Sequence, residues 1–272
     1  MNGLFRQPKR PKMACIFPYF ATFLFGAVVG SFLNVCIHRL PRHESVVWPA
    51  SHCPSCASPI AAYDNIPILS YLLLRGRCRT CRALISPQYP IVELVNAVGY
   101  CLILWQFGAG WTAAVYALLF SSLLVIAFID FFHQIIPNVI TLPGIVLGLL
   151  CAVTILPVGL PNSILGILLG YGIPWGLAKA YLYFRGKEGM GLGDAKLLAM
   201  IGAFLGWKPM LLTIMVGALV GSVMGLGLIW LKVMRKDQYI PFGPFLAFGA
   251  IVSLFFHREV LTWYFGLLMG PR

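Results

Sequence analysis

Residues 112–130 read TAAVYALLFSSLLVIAFID, an apolar run whose single charged residue, Asp130, is its last. A helix of this length spans about 28 Å, close to the roughly 30 Å of a bilayer's hydrocarbon core. Seven further segments are also predominantly apolar. They are residues 14–37, 90–107, 138–157, 162–184, 194–206, 209–231 and 243–268. The sequence therefore predicts an all-α polytopic membrane protein with about eight transmembrane helices.

The composition excludes most soluble classes of protein. Of 272 residues, 60% are hydrophobic and 10% are charged, and the mean hydropathy is +0.86. An ordinary soluble domain carries roughly 25% charged residues, which excludes a soluble globular enzyme, a disordered chain and a secreted disulfide scaffold. The net charge of +12 indicates orientation and contact with anionic membrane lipid. It does not indicate a nucleic-acid partner, which would need a basic soluble module with reading elements.

Polar and apolar stretches divide the chain into four parts. A basic tail at residues 1–13 precedes the apolar segment 14–37, which is longer than the core of a signal peptide and is followed by no small-residue cleavage site. We therefore interpret 14–37 as a retained transmembrane helix. Residues 38–89 form the long polar loop, and residues 90–272 form a core of seven transmembrane helices.

Small residues predict how the helices pack. Glycines recur at four-residue spacing in four apolar segments, a pattern that lets helix backbones approach closely in lipid. The sets are Gly26/Gly30, Gly144/Gly148, Gly166/Gly170 and Gly217/Gly221/Gly225. The segment 194–206 is short for a full span, so we expect it to be tilted or sheltered by neighbouring helices.

Basic residues predict the orientation in the membrane. If loop 38–89 faces the cytosol, the connectors 131–137, 185–193 and 232–242 face it too. That side then holds eleven basic residues, which are Arg39, Arg42, Arg75, Arg77, Arg79, Arg82, Arg185, Lys187, Lys232, Arg235 and Lys236. The positive-inside rule favours this arrangement, in the inner membrane of the cell. The tail 1–13 disagrees, since its four basic residues would lie outside.

Four cysteines in the polar loop form two C-x-x-C pairs, Cys53/Cys56 and Cys78/Cys81. Two such pairs are typical of a closed tetrahedral zinc site that stabilises a fold. The alternatives are two disulfides or one redox pair, but the loop has no thioredoxin-like pattern and disulfides do not persist in a reducing cytosol. We therefore predict a structural zinc ion held by the four thiolates.

Two aspartates stand at the ends of apolar segments. Asp130 ends one segment and Asp194 begins another, and chain parity places both just inside the same membrane face. Carboxylates at such positions are candidates for function because burying them is costly. If they meet across a water pocket, one remains an acid beside a base, as cleavage of a peptide bond by water requires. Gly191 and Gly193 leave room there for an extended substrate.

Other interpretations of the aspartates remain open. They could form a proton relay or cation site in a small transporter, or lie at the interface without meeting. The glycine-rich run before Asp194 could also suggest a nucleotide or S-adenosylmethionine loop. That loop needs a preceding buried strand, whereas here the run follows an apolar membrane segment.

Several motifs, in order along the chain, resemble the type IV prepilin peptidases, a family of Gly-x-Gly-Asp intramembrane aspartic proteases. Besides the two cysteine pairs, the matching stretches are 30–35, 38–41, 63–67, 86–93, Asp130 with 136–138, 191–194 and 241–245. One departure is Asn138, where the family often has an acid.

The resemblance implies a specific activity. Members cleave basic leaders from prepilins and pseudopilins on the cytosolic side, after Gly and usually before Phe, and many N-methylate the new terminus with S-adenosylmethionine. Asp130 and Asp194 carry over as the catalytic pair. We choose Glu93, at the mouth of the second helix, as a further substrate contact. The sequence carries no signal for an oligomeric state.

Overall fold

The computed structural model describes residues 16–186, 191–232 and 240–269, and helices dominate it. Within these ranges there is no β-strand, only two isolated antiparallel bridges in the polar loop. The all-α prediction is therefore confirmed. The tail 1–13 and three of the basic residues used to predict orientation, Lys187, Arg235 and Lys236, lie outside the described residues.

The described part of the chain contains eight long helices and one short helix. In chain order they are α1 (Ile16–Arg39), α2 (Leu69–Leu73), α3 (Gln88–Phe107), α4 (Trp111–His133), α5 (Asn138–Thr154), α6 (Leu160–Arg185), α7 (Leu192–Leu205), α8 (Trp207–Trp230) and α9 (Gly243–Met269). Five of them, α1, α3, α4, α6 and α8, are long and apolar enough to cross a membrane, and α5 is apolar but shorter. The protein is thus a polytopic helical membrane protein, while the number of eight spans stays a prediction.

The chain divides into two compact units, residues 1–125 and 126–272. In the first unit, α1 packs closely on α3. A Cβ on Gly26 would lie 2.8 Å from the Cα of Ala97, and one on Gly30 would lie 2.7 Å from the Cα of Glu93. Asn96 of α3 also donates a hydrogen bond of 2.8 Å to the Gly26 carbonyl. The predicted close approach of helices at these glycines is confirmed.

The polar loop folds over the ends of α1 and α3. A 3-10 turn at Leu40–Arg42 follows α1, and a second turn at Ala62–Asn65 precedes α2. The buried guanidinium of Arg39 donates to the carbonyls of Ser45 (2.9 Å) and Pro49 (2.7 Å). These bonds tie the first part of the loop to the end of α1.

In the second unit, α7 is enclosed by neighbouring helices, as expected for so short an apolar segment. Nearly every residue from Asp194 to Leu205 is buried. A Cβ on Gly166 of α6 would overlap the carbonyl of Gly202, and one on Gly170 would lie 2.5 Å from the Leu198 carbonyl oxygen. Because these glycines let α6 contact the α7 backbone directly, α7 and the residues at its start are held in a fixed position.

Candidate active site and metal centre

Asp130 lies near the C-terminal end of α4, in the second unit. Its side chain is 4% exposed, and its Oδ2 accepts a hydrogen bond of 2.8 Å from the backbone N–H of Gly243, the first residue of α9. A hydrogen bond to a carboxylate offsets part of the cost of removing its charge from water. Gly243 therefore positions Asp130 and stabilises negative charge on it.

Asp194 lies in the first turn of α7 and is also 4% exposed. Its backbone N–H donates to the Gly191 carbonyl at 3.2 Å, which closes the turn that begins the helix. The N-terminus of a helix carries a partial positive charge that favours a carboxylate. The buried packing of α7 thus holds Asp194 in place at the end of the helix.

The structure brings the two aspartates together at one cavity of about 280 Å³. The cavity has room for several water molecules, and all its lining residues belong to the second unit. They are Asp130, Gln134, Ile135, Ile136, Asn138, Gly191, Gly193, Asp194 and Lys196. The arrangement places two carboxyl groups beside one volume that water can occupy.

The two glycines before Asp194 have different surroundings. A Cβ on Gly193 would lie 3.0 Å from the Cβ of Ile136, so glycine is needed there for packing against the segment between α4 and α5. A Cβ on Gly191 would meet nothing closer than 3.9 Å. Gly191 therefore leaves open space at the cavity, whereas Gly193 fits the cavity wall. Their contact with substrate stays a prediction.

The structure adds polar residues to the cavity that the sequence did not single out as site residues. The Lys196 ammonium donates a hydrogen bond of 2.8 Å to Asn138 Oδ1, which joins the start of α5 to the second turn of α7. Gln134 also lines the cavity. Asn138 stood out in the sequence as a departure from the family pattern, and Lys196 lies two residues after Asp194. Nothing in the sequence paired them.

Glu93 belongs to the first unit, where it is 6% exposed. Its Oε2 accepts a hydrogen bond of 2.7 Å from the backbone N–H of Ile68, the residue before α2. The α1 backbone also passes close to it, since a Cβ on Gly30 would lie 2.7 Å from the Cα of Glu93. The observed contacts of Glu93 thus attach the polar loop to α1 and α3. Its contact with substrate stays a prediction.

The four loop cysteines converge as a candidate metal centre. Their Sγ atoms all lie within 4.8 Å of one another, and the Cys53 and Cys81 sulfurs are 3.8 Å apart. A disulfide would require a bond of about 2.05 Å, whereas sulfurs that share a tetrahedral zinc ion at about 2.3 Å each lie roughly 3.8 Å apart. The cluster could therefore hold a metal ion.

The two C-x-x-C pairs adopt matching turns. The backbone N–H of Cys53 donates to the Ser58 carbonyl and that of Cys78 to the Ala83 carbonyl, both at 2.9 Å. The residue after each second cysteine, Ala57 or Arg82, has a positive φ of 54° or 61°. This left-handed conformation is costly for a residue with a side chain. Its repetition indicates that both turns are shaped to aim their sulfurs at one point.

The thiol chemistry of the cluster favours a bound cation. Backbone N–H groups of Cys81 and Thr80 lower the pKa of Cys78 to about 6. The Ala83 N–H lowers the pKa of Cys81, but burial and the neighbouring sulfurs raise it more, to about 11. Four adjacent sulfurs therefore do not all ionise on their own. A divalent cation would stabilise all four thiolates, so the residues present fit such an ion.

Two family models match the chain in sequence. One, the bacterial peptidase A24 N-terminal domain, covers residues 24–107. The other, the type IV leader peptidase family, covers residues 117–226 and so includes both aspartates. The first model includes the polar loop with its four cysteines.

Curated relatives match over most of their length. The prepilin leader peptidase/N-methyltransferase of Aeromonas hydrophila is 39% identical over 90% of this chain and 93% of the relative. The proteins of the same description from Pseudomonas aeruginosa and Burkholderia pseudomallei strain K96243 are 37% and 35% identical, over 89% and 91% of this chain and 92% and 86% of the relatives. No solved structure matches the chain significantly. The two family models together match both halves of the chain, and the relatives are 35–39% identical to it over most of their length. The chain therefore belongs to the type IV leader peptidase family of membrane peptidases.

Proposed function

We propose that this enzyme is an intramembrane aspartic endopeptidase that removes the leader peptide of type IV prepilins. The observation that carries the proposal is the placement of Asp130 and Asp194 at one cavity, with no more than 4% of either residue exposed. The relatives' description as prepilin leader peptidases supplies the substrate class. From the resemblance, we expect cleavage after Gly and before Phe, in prepilins and in pilin-like pseudopilins.

The geometry supports a division of labour between the two carboxyl groups. Because the Gly243 N–H stabilises negative charge on Asp130, we assign Asp130 as the base that takes a proton from the attacking water. Asp194 then donates a proton to the oxygen of the scissile carbonyl, and the pair acts as one coupled unit. The open space at Gly191 is where the extended substrate would lie, with Gly193 in the adjoining wall and Glu93 as a further proposed contact.

We propose that the cavity and the polar loop face the cytosol, in the inner membrane. The cavity is formed by the end of α4 and the starts of α5 and α7, so these three helix ends lie at one end of the second unit. Arg185 and Lys187 precede α7 in the chain, and the positive-inside rule favours the cytosolic face for such basic residues.

A second activity, N-methylation of the new terminal residue, is proposed from the relatives' description as N-methyltransferases. S-adenosylmethionine would supply the methyl group. No residue of the described chain is assigned to the methyl donor.

The cleavage proposal is tested with the purified chain in lipid nanodiscs and a purified prepilin whose leader ends in Gly before Phe. We expect a product that begins at the Phe, identified by its mass. Addition of S-adenosylmethionine should add one methyl group to that product. Intact prepilin, together with proton-driven uptake by vesicles that contain the chain, would instead support a transporter that uses the same aspartates.

We propose that the ion at the cysteine cluster is a structural zinc, and that Cys78→Ser removes it. With one thiolate gone, the bound zinc per chain should fall from about one to near zero, since zinc affinity depends on a full set of deprotonated ligands. Metal analysis of the purified protein measures this. Cys101→Ser, which changes a free cysteine of α3 outside the cluster, is the matched control and should keep its zinc. Undiminished zinc in Cys78→Ser would contradict a four-thiolate site.

A further inference from the structure

The polar loop exposes an apolar surface that its own fold does not cover. Leu69, Leu72 and Leu73 lie on one face of α2, at the i, i+3 and i+4 positions. Leu72 is 65% exposed and Leu73 is 74% exposed, and Leu84, in the turn of the second cysteine pair, is 81% exposed. Several large aliphatic side chains exposed together indicate an interaction surface rather than chance.

This surface lies within the first unit at the end of a membrane helix. The residue before α2, Ile68, bonds to Glu93, which lies in the second turn of α3. At the other end, the segment finishes at Ile85, three residues before Gln88, where the candidate span of α3 begins. Three residues reach at most about 11 Å. Residues 69–85 are therefore held at the level where α3 enters the bilayer.

Backbone hydrogen bonds fold the segment 69–85 back on itself. The backbone N–H of Arg75 donates to the Leu72 carbonyl at 3.1 Å, and that of Ile85 donates to the Gly76 carbonyl at 2.8 Å. Arg77 and Leu84 face each other in an antiparallel bridge. The apolar side chains of α2 and the arginines after it thus belong to one folded element.

The charge of this element is strongly positive. Arg75, Arg77 and Arg82 are exposed, and the one ion pair found among the described residues is that of Arg79 with Asp64, at 2.6 Å. At a bilayer surface, the exposed leucines can contact the acyl chains, and the unpaired arginines can contact the anionic phosphates above them.

We propose that residues 69–85 form a lipid anchor, which inserts the apolar face of α2 into the boundary between headgroups and acyl chains and binds anionic phospholipid through Arg75, Arg77 and Arg82. The occupant is the bilayer itself. A basic leader peptide does not fit, because the arginines would repel it. The anchor would hold the cysteine cluster against the membrane, since the Cys78/Cys81 turn is part of the same element.

The test compares backbone hydrogen exchange of residues 69–85 in nanodiscs that each contain one copy of the chain. One set of discs holds phosphatidylcholine alone, and the other also holds phosphatidylglycerol. Three arginines near an anionic surface correspond to an affinity change of up to about 100-fold, so we expect exchange to slow at least roughly ten-fold in the anionic discs. Added salt should reverse the effect. Equal exchange in the two lipids would overturn the proposal.

Variants separate charge from folding. R75Q/R77Q/R82Q should lose the dependence on lipid charge, whereas R75K/R77K/R82K should keep it, because lysine preserves the charge. Bound zinc serves as the check that the loop is folded in both. Slow exchange that appears only in discs with two copies, irrespective of lipid, would assign the surface to a second copy of the chain and would also overturn the lipid anchor. Hydrogen exchange does not depend on cleavage, so this test of the lipid anchor is independent of the proposed peptidase activity.

Discussion

Asp130→Asn and Asp194→Asn, made separately, are each expected to lower kcat/KM for prepilin cleavage by at least about 1,000-fold, a loss typical of removing a general acid or base. Asparagine keeps the size of the side chain and can still accept a hydrogen bond from the Gly243 N–H, but it cannot take up or deliver the proton. Because both carboxyl groups line one cavity, the reaction needs the pair, and neither single variant should retain useful activity. Gel shift of the processed prepilin measures the loss.

The matched control is Glu259→Gln, which removes an exposed acid of α9. It should cleave at the wild-type rate. Melting temperatures of the three variants test whether the loss reflects chemistry or unfolding, and we expect no large fall, because each aspartate is replaced by a neutral side chain of the same shape. Cleavage at the wild-type rate by either aspartate variant would refute the catalytic pair.

The convergence of Asp130 and Asp194 was accessible from sequence because Asp130 ends one apolar segment and Asp194 begins another, and chain parity assigns these two ends to the same side of the membrane. The contacts that position them were not. Gly243 lies 113 positions after Asp130 and donates to it through its backbone N–H. Because nearly every residue has a backbone N–H, the sequence does not show which one will bond to Asp130. The hydrogen bond from Lys196 to Asn138 likewise joins two helices whose register the sequence does not specify.

The same limit explains Glu93. The sequence indicates an acid at the mouth of a membrane helix, and a carboxylate at such a position needs a partner. It does not say that the partner is the Ile68 N–H of the polar loop. Spacing alone predicts the cysteine cluster, because each C-x-x-C pair forms a local turn that brings its own two sulfurs together. Pairings set by tertiary structure require coordinates.

Gly243→Ala tests whether the backbone contact to Asp130 matters for catalysis. A Cβ at this position would lie 3.0 Å from Cγ of Asp130 and only 2.6 Å from its Oδ2, and the second distance is shorter than nonbonded contacts of a Cβ atom. The carboxyl group must rotate away or the start of α9 must shift, and either change moves the proposed base from its place beside the water. A displacement of about 1 Å in a catalytic group costs on the order of 100-fold in rate, so we expect kcat to fall by about that factor while KM changes little.

Two other glycines distinguish this effect from the general cost of adding a methyl group. Gly227→Ala places its Cβ in open space and should be neutral, whereas Gly249→Ala of α9 would bring its Cβ to 2.5 Å from the Thr213 carbonyl oxygen, against α8. Gly249→Ala should therefore lower the melting temperature more than Gly243→Ala does, yet reduce kcat less. A variant that loses more activity while it loses less stability indicates a contact that positions a catalytic group. A Gly243→Ala enzyme that loses activity only in proportion to its stability would show that the hydrogen bond to Asp130 supports the fold and leaves the chemistry untouched.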